Sequence, residues 1–125
     1  MNCLTLEQLL EIHALVVKST GGSTGLRDLG RLESVIATQT QNVFGAELYP
    51  SIFDKAAAVI RSIIADHPFV DGNKRTAMLS GLTLLEINSK HFKAKPGEIE
   101  DFAVVIAIKN IDVPQISNWL QTHAK

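Results

Sequence analysis

Nine consecutive residues gather most of the reactive side chains of this protein: His67-Pro68-Phe69-Val70-Asp71-Gly72-Asn73-Lys74-Arg75. They supply a proton acceptor, a carboxylate, a glycine, an amide and two cations. Pro68 disfavours helical geometry at the residue before it, so a preceding helix stops at His67. A new helix starts near Asn73. A helix N-terminus offers unpaired N–H groups and the positive end of the dipole, and Gly72 just ahead of it lets the backbone approach a ligand closely. Asn73, Lys74 and Arg75 add donors and positive charge in the first turn. Carboxylates are favoured there and cations are not; Lys74 and Arg75 make sense with an anion resting on them. Phosphate is the natural anion. Beside phosphate, Asp71 suits Mg²⁺, which takes one or two carboxylates plus phosphate oxygens. Imidazole accepts a proton near neutral pH, so His67 suits a general base acting on a hydroxyl. Phosphoryl transfer needs mainly positioning and charge neutralisation, and this loop has parts for both.

Each residue also has a plainer reading. His67 is then a cation on a helix C-terminus, Asp71-Gly72 a turn, Asn73 an N-cap, and Lys74 and Arg75 solvated surface charges. Phe69 is core on either reading.

The elements that must position this loop are helical. Thr5-Leu6-Glu7-Gln8 forms a capping box, and Leu6, Leu9, Leu10, His13, Val16 and Val17 follow at helical spacing. That helix ends near Ser19, before the loop Thr20-Gly21-Gly22-Ser23-Thr24-Gly25. Asp28 caps a second helix running to about Gln39. Residues 39–49 lack a helical stripe and read as a long loop or irregular flap. Pro50 suits the first turn of a third helix, apolar nearly all round (Ile52, Ala56, Ile60, Ile63) and therefore central. A fourth helix spans Asn73 to Ser89 and a fifth Glu98 to about Lys109. Pro114 opens a sixth, with Ile116, Trp119 and Leu120 inward. No stretch reads as a convincing strand, and the fold class is all-α, about six helices in one bundle. His13, His91 and His123 lack companions at metal-ligand spacing and read as structural or surface residues. Arg27, Asp28, Arg31 and Glu33 read as a charged cluster paired within its helix.

Composition narrows the function. The chain has 125 residues, 46% hydrophobic and 20% charged, with a net charge of −1. That length matches one domain, residues 1–125. The balance speaks against binding nucleic acid or anionic membrane through a basic surplus. Cys3 is the single cysteine, so there is no cysteine metal cluster and no call for an oxidising compartment. Met1 to Gln8 lacks a signal-peptide pattern, and no apolar run is long enough to span a membrane. The expectation is a cytoplasmic protein.

The segment from His67 to Arg75 resembles the signature of the Fic/Doc family. The resemblance extends to Gly25-Leu26-Arg27-Asp28, Leu32-Glu33-Ser34, Phe44-Gly45 and Leu48-Tyr49-Pro50, which are similar to the N-terminal half of the Doc toxin branch, and it covers most of the chain. It implies a single compact Fic-type helical bundle. It also implies that His67 deprotonates a hydroxyl of a target protein, Phe69 anchors the loop, Asp71 holds Mg²⁺, and Gly72, Asn73, Lys74 and Arg75 hold the phosphates of ATP. Most Fic proteins have a small residue at the position of Lys74 and a second arginine at that of Met78, and these transfer AMP. The Doc branch shares Asn73-Lys74-Arg75. There, ATP lies in the opposite sense and its γ-phosphate passes to a threonine of elongation factor Tu, which halts translation. The family's self-inhibitory Ser/Thr-x-x-x-Glu-Gly/Asn helix is absent; the resemblance implies instead a separate Phd-like antitoxin whose disordered tail folds onto an apolar groove. The expected function is therefore a kinase-like toxin. The alternatives are an AMP transferase of the same fold, and a non-catalytic module that merely holds a nucleotide or a partner.

Overall fold

The computed structural model describes residues 1–124. Its helices are α1 (Leu6–Thr20), α2 (Leu29–Ala37), α3 (Ile52–Asp66), α4 (Asn73–Glu86), α5 (Glu98–Lys109) and α6 (Val113–His123). The all-α expectation holds. Most starts follow their capping chemistry. Thr5 and Gln8 close a capping box on α1, as do Asp112 and Gln115 on α6, and the Asp28 carboxylate accepts from Arg31 N–H at the head of α2. Ser51, not Pro50, caps α3: its hydroxyl accepts from Asp54 N–H and Pro50 lies one residue outside. α4 stops at Glu86 rather than Ser89, which is in left-handed geometry (φ 64°).

The stretch after α2 differs from the sequence expectation. A 3-10 turn at Thr38–Thr40 leads into an antiparallel hairpin, β1 (Asn42–Val43) and β2 (Ala46–Glu47). Its two-residue turn places Phe44 and Gly45 at positive φ (52° and 81°), as a type I′ turn requires. All four strand residues are exposed, so no alternation of apolar and polar residues marks them. The hairpin is tied down by Lys55 of α3. This buried lysine donates to the Gln39 carbonyl and, at 2.9 Å, to the Glu47 carboxylate.

α3 is central, packing against α2, α4, α5 and α6. Ala56, Ala57, Val59, Ile60 and Ile63 are almost wholly buried, each larger side chain contributing roughly 1.5–3 kcal/mol. α4 packs tightly on it at Gly81, where a Cβ would run into the Ile60 side chain. The tight α3–α4 pairing fixes both ends of the short connection at residues 67–72. Farther away, Trp119 is only partly buried, in a cluster with Phe92, Phe102 and His123.

Candidate active site

The connection between α3 and α4 is a clamped loop. It leaves α3 at His67, which adopts left-handed geometry (φ 49°, ψ 60°) and is exposed. That conformation is uncommon for a side-chain-bearing residue, and Pro68 has already closed the right-handed alternative. Phe69 is fully buried. Its N–H donates to the Asn73 side-chain oxygen at 3.0 Å, and its carbonyl accepts from the Asn73 amide at 2.9 Å. Asn73 is therefore more than a helix cap. The cap position belongs to Gly72 (φ 76°), with no side-chain hydrogen bond.

A second clamp comes from the residues before α2. Leu26 pairs with Phe69 as an antiparallel bridge, Val70 N–H donates to the Gly25 carbonyl at 2.9 Å, and Arg27 N–H donates to the Pro68 carbonyl at 2.8 Å. Arg31 reaches past its partner Asp28 (3.6 Å) to donate to the Asp66 carbonyl at 2.9 Å. The charged cluster is thus only in part an intrahelical pair.

A third clamp comes from α1 and the loop after it. His13 is buried, its ring lying parallel to Phe69 (centroids 3.7 Å apart, 7° between planes). Its Nε2 is 2.8 Å from the Asp71 carbonyl. Ser23 N–H donates to Asp71 Oδ2 at 2.9 Å. The sequence put His13 in the helical stripe of α1 but left it a structural or surface residue, with no tie to the loop. The two residues are 58 positions apart, and no periodicity reports such a contact.

The loop's functional side chains do not all face one space. His67 and Lys74 open into a cavity of about 290 Å³ that Arg61 and Asn110 also line. Lys74 and Arg75 border a larger apolar groove, about 680 Å³, between α1, α4 and α5. Asp71 lines neither; its carboxylate is exposed and turned toward Ser23. Lys74 therefore stands between the two cavities. Among the described residues, Lys74 and Arg75 have no acidic partner within ion-pair distance, and the first turn of α4 holds no acid.

Chemically, α4 presents uncapped N–H groups and two free cations, an arrangement that suits an anion. Asn73 has each end of its amide bonded to Phe69, which leaves one amide hydrogen and its backbone N–H for a ligand. No cluster of three or more metal-binding side chains exists among the described residues. A lone carboxylate beside an anion site fits a metal that arrives with phosphate, since Mg²⁺ usually keeps waters and phosphate oxygens in its shell.

The Fic/DOC family model matches residues 3–85, which include all three clamps and the whole loop. The chain belongs to the Fic/DOC family. It is 36% identical over 99 residues to Toxin Doc of Mycolicibacterium smegmatis (strain ATCC 700084 / mc(2)155), covering 78% of this chain and 76% of that protein. It is 30% identical over 121 residues to Protein kinase doc of Escherichia phage P1, covering 97% and 94%. The second alignment carries the likeness through α5 and α6, beyond the family match. No helix among the described residues is long and apolar enough to cross a membrane.

Proposed function

We propose that this Fic/DOC protein is the toxin of a toxin–antitoxin pair, transferring the γ-phosphoryl group of ATP to a hydroxyl of a target protein. The observation that carries this reading is the start of α4: uncapped N–H groups, Lys74 and Arg75 without acidic partners, and Lys74 sharing a cavity with His67. The kinase name of the phage P1 relative supports phosphoryl rather than AMP transfer, as does Met78 in place of a second arginine. By resemblance to the Doc branch, the target is a threonine of elongation factor Tu.

The chemistry divides among few groups. The hydroxyl oxygen forms a bond to the γ-phosphorus, the bond from that phosphorus to the β–γ bridging oxygen breaks, and ADP leaves. The hydroxyl proton passes to His67, exposed at the left-handed cap of α3. Backbone N–H groups of Gly72 and Asn73, with Lys74 and Arg75, hold phosphate oxygens. Asp71 would hold Mg²⁺, which neutralises phosphate charge when bound. Fixed donors at the developing charge are usually the largest contribution to such a rate.

The apolar groove beside Lys74 and Arg75 suits the antitoxin. Leu15 is 61% exposed, and Leu79 and Val104 show about 40% of their surface. An amphipathic segment with apolar anchors at helical spacing and an acidic end would cover both the leucines and the cations. A protein that neutralises the toxin there need not touch His67.

The decisive experiment incubates the protein with Mg²⁺, a cell extract, and ATP labelled either on the γ- or on the α-phosphate. Label should reach protein from the γ-position only, and His67→Ala should cut it by about 10²–10⁴-fold. Label from the α-position alone would assign AMP transfer instead. Growth arrest that persists in His67→Ala would remove catalysis from the function.

A further inference from the structure

His13 does more than fill the core. Of the buried stripe Leu9, Ile12, His13, Val16 and Val17 on α1, it is the member that can donate a hydrogen bond, and it donates to the loop. A carbonyl only accepts, so the proton must sit on Nε2, 2.8 Å from the Asp71 oxygen. The flat face of the ring stacks on Phe69, two residues earlier in the loop. α1 also meets the residue after Asp71: a Cβ on Gly72 would stand 3.4 Å from Val16 Cγ1 and 3.9 Å from His13 Nε2. One face of α1 therefore touches Phe69, Asp71 and Gly72 in turn. The chain leaving α1 then supplies Ser23 N–H to Asp71 Oδ2, and among the described residues no hydrogen bond reaches Oδ1.

We infer that His13 is a positioning residue for Asp71, fixing the backbone from which the carboxylate projects so that Oδ1 is presented to a metal–nucleotide complex. This rests on the reading of Asp71 as the Mg²⁺ ligand. Two hydrogen bonds from the α1 side, one to the carbonyl and one to a carboxylate oxygen, remove the main freedoms of the residue: tilt of its peptide and rotation of its side chain. Asn73 secures the loop at Phe69 and the Gly25 carbonyl secures it at Val70, so without His13 the Asp71 carbonyl loses its partner and only the carboxylate stays tied, by Ser23 N–H. Groups that orient a metal ligand typically alter metal affinity by about 10–100-fold when removed.

Two substitutions separate the stacking from the hydrogen bond. His13→Phe keeps a flat ring against Phe69 and loses the donor; His13→Gln keeps a donor and loses the ring. Mn²⁺ binding in the presence of ATP, followed by electron paramagnetic resonance, should weaken about tenfold in His13→Phe and stay near the wild-type value in His13→Gln. Hydrogen exchange at the amides of residues 70–73 should quicken about tenfold in His13→Phe alone, with the helices unchanged. Wild-type Mn²⁺ affinity and wild-type loop exchange in a folded His13→Phe protein would reduce His13 to packing and overturn the inference. Should the wild type itself take up no Mn²⁺ with ATP, the metal reading of Asp71 falls, and the exchange measurement still decides whether His13 holds the loop. Should His13→Phe fail to fold, ¹⁵N NMR of the wild type decides: Nε2 must carry the proton, and an unprotonated Nε2 rules out the bond.

Discussion

Two helices of this molecule begin in the same way and are then loaded oppositely. α4 starts after Gly72 and α5 after Gly97, both left-handed (φ 76° and 84°) and both without a side-chain cap. α5 fills its first turn with Glu98, Glu100 and Asp101, the charges that complement its own N–H groups and dipole. α4 carries Lys74 and Arg75 in that place and no acid. α5 therefore neutralises itself, and Glu98 goes on to pair with His123 at 2.8 Å. α4 is left with an unanswered positive end, behind a loop clamped by Asn73 itself, by residues 25–31, and by α1 with Ser23. A helix start that is clamped and yet unneutralised is poised for a ligand; one that is neutralised internally serves the fold.

The largest effect should come from the proton acceptor beside the α4 start. His67→Ala should lower phosphoryl transfer by about 10²–10⁴-fold, the usual contribution of general-base catalysis. Because the side chain is exposed, thermal unfolding should barely move. A comparable loss of melting temperature would mean that His67 serves the fold, and α4 would then resemble α5. Next in size is the clamp. Asn73→Ala strips both partners from the backbone of buried Phe69, leaving polar groups that each cost about 1–3 kcal/mol unpaired. Urea unfolding should report a loss of about 2–4 kcal/mol. A loss below 1 kcal/mol would show that water replaces the amide freely and that the loop is looser than its contacts suggest.

How much of this contrast was legible beforehand varies with the range of the interaction. The caps Thr5 and Asp28 and the cations at the start of α4 act within four residues, and the sequence displays them directly; Ser51 and Gly72 hold the cap positions where the sequence pointed to their neighbours Pro50 and Asn73. α3 was legible as a central apolar helix ending before Pro68 and α4 as a helix beginning beyond it; their pairing was not. The stacking of His13 on Phe69 and the segment of residues 25–28 laid along the loop are long-range contacts, and local patterning carries no record of which element meets which. The hairpin at 42–47 was missed for another reason: its side chains all face solvent, so neither face needed to be apolar. The division of the loop's side chains between two cavities and the Ser23 side depends on where α4 points, which only packing determines.

Charge reversal tests the comparison itself. Lys74→Glu with Arg75→Glu converts the start of α4 into a copy of the start of α5. Nucleotide binding should disappear, while stability should rise by about 0.3–1 kcal/mol per substitution as the dipole is answered. Asp101→Lys on α5 should lower stability by a similar amount and leave transfer intact. Loss of stability in the double variant would mean that the α4 cations already have partners, and the site assignment would fail with it.

The smallest effect tests the self-neutralised end. Both ring nitrogens of His123 face acceptors, Glu98 at 2.8 Å and the Trp119 carbonyl at 2.7 Å, so the doubly protonated ring satisfies both. The hydrogen bond to Glu98, then that to Trp119, raises the His123 pKa above its ordinary 6.5. The hydrogen bond from His123 first, and then the Lys95 backbone, lowers the Glu98 pKa below 4.5. A raised histidine stabilises fully below its unfolded pKa and ceases to do so as pH climbs through the folded value; a lowered carboxylate stabilises above its unfolded pKa and ceases to as pH drops through the folded value. The pair is therefore at full strength between about pH 4.5 and 6.5. Partial exposure screens it, so the difference in melting temperature between wild type and Glu98→Gln should be small, positive in that window, and shrink on either side. A difference that does not shrink on the alkaline side would show that Glu98 acts on the α5 dipole alone, and the two helix starts would then differ by the sign of their charges and nothing more.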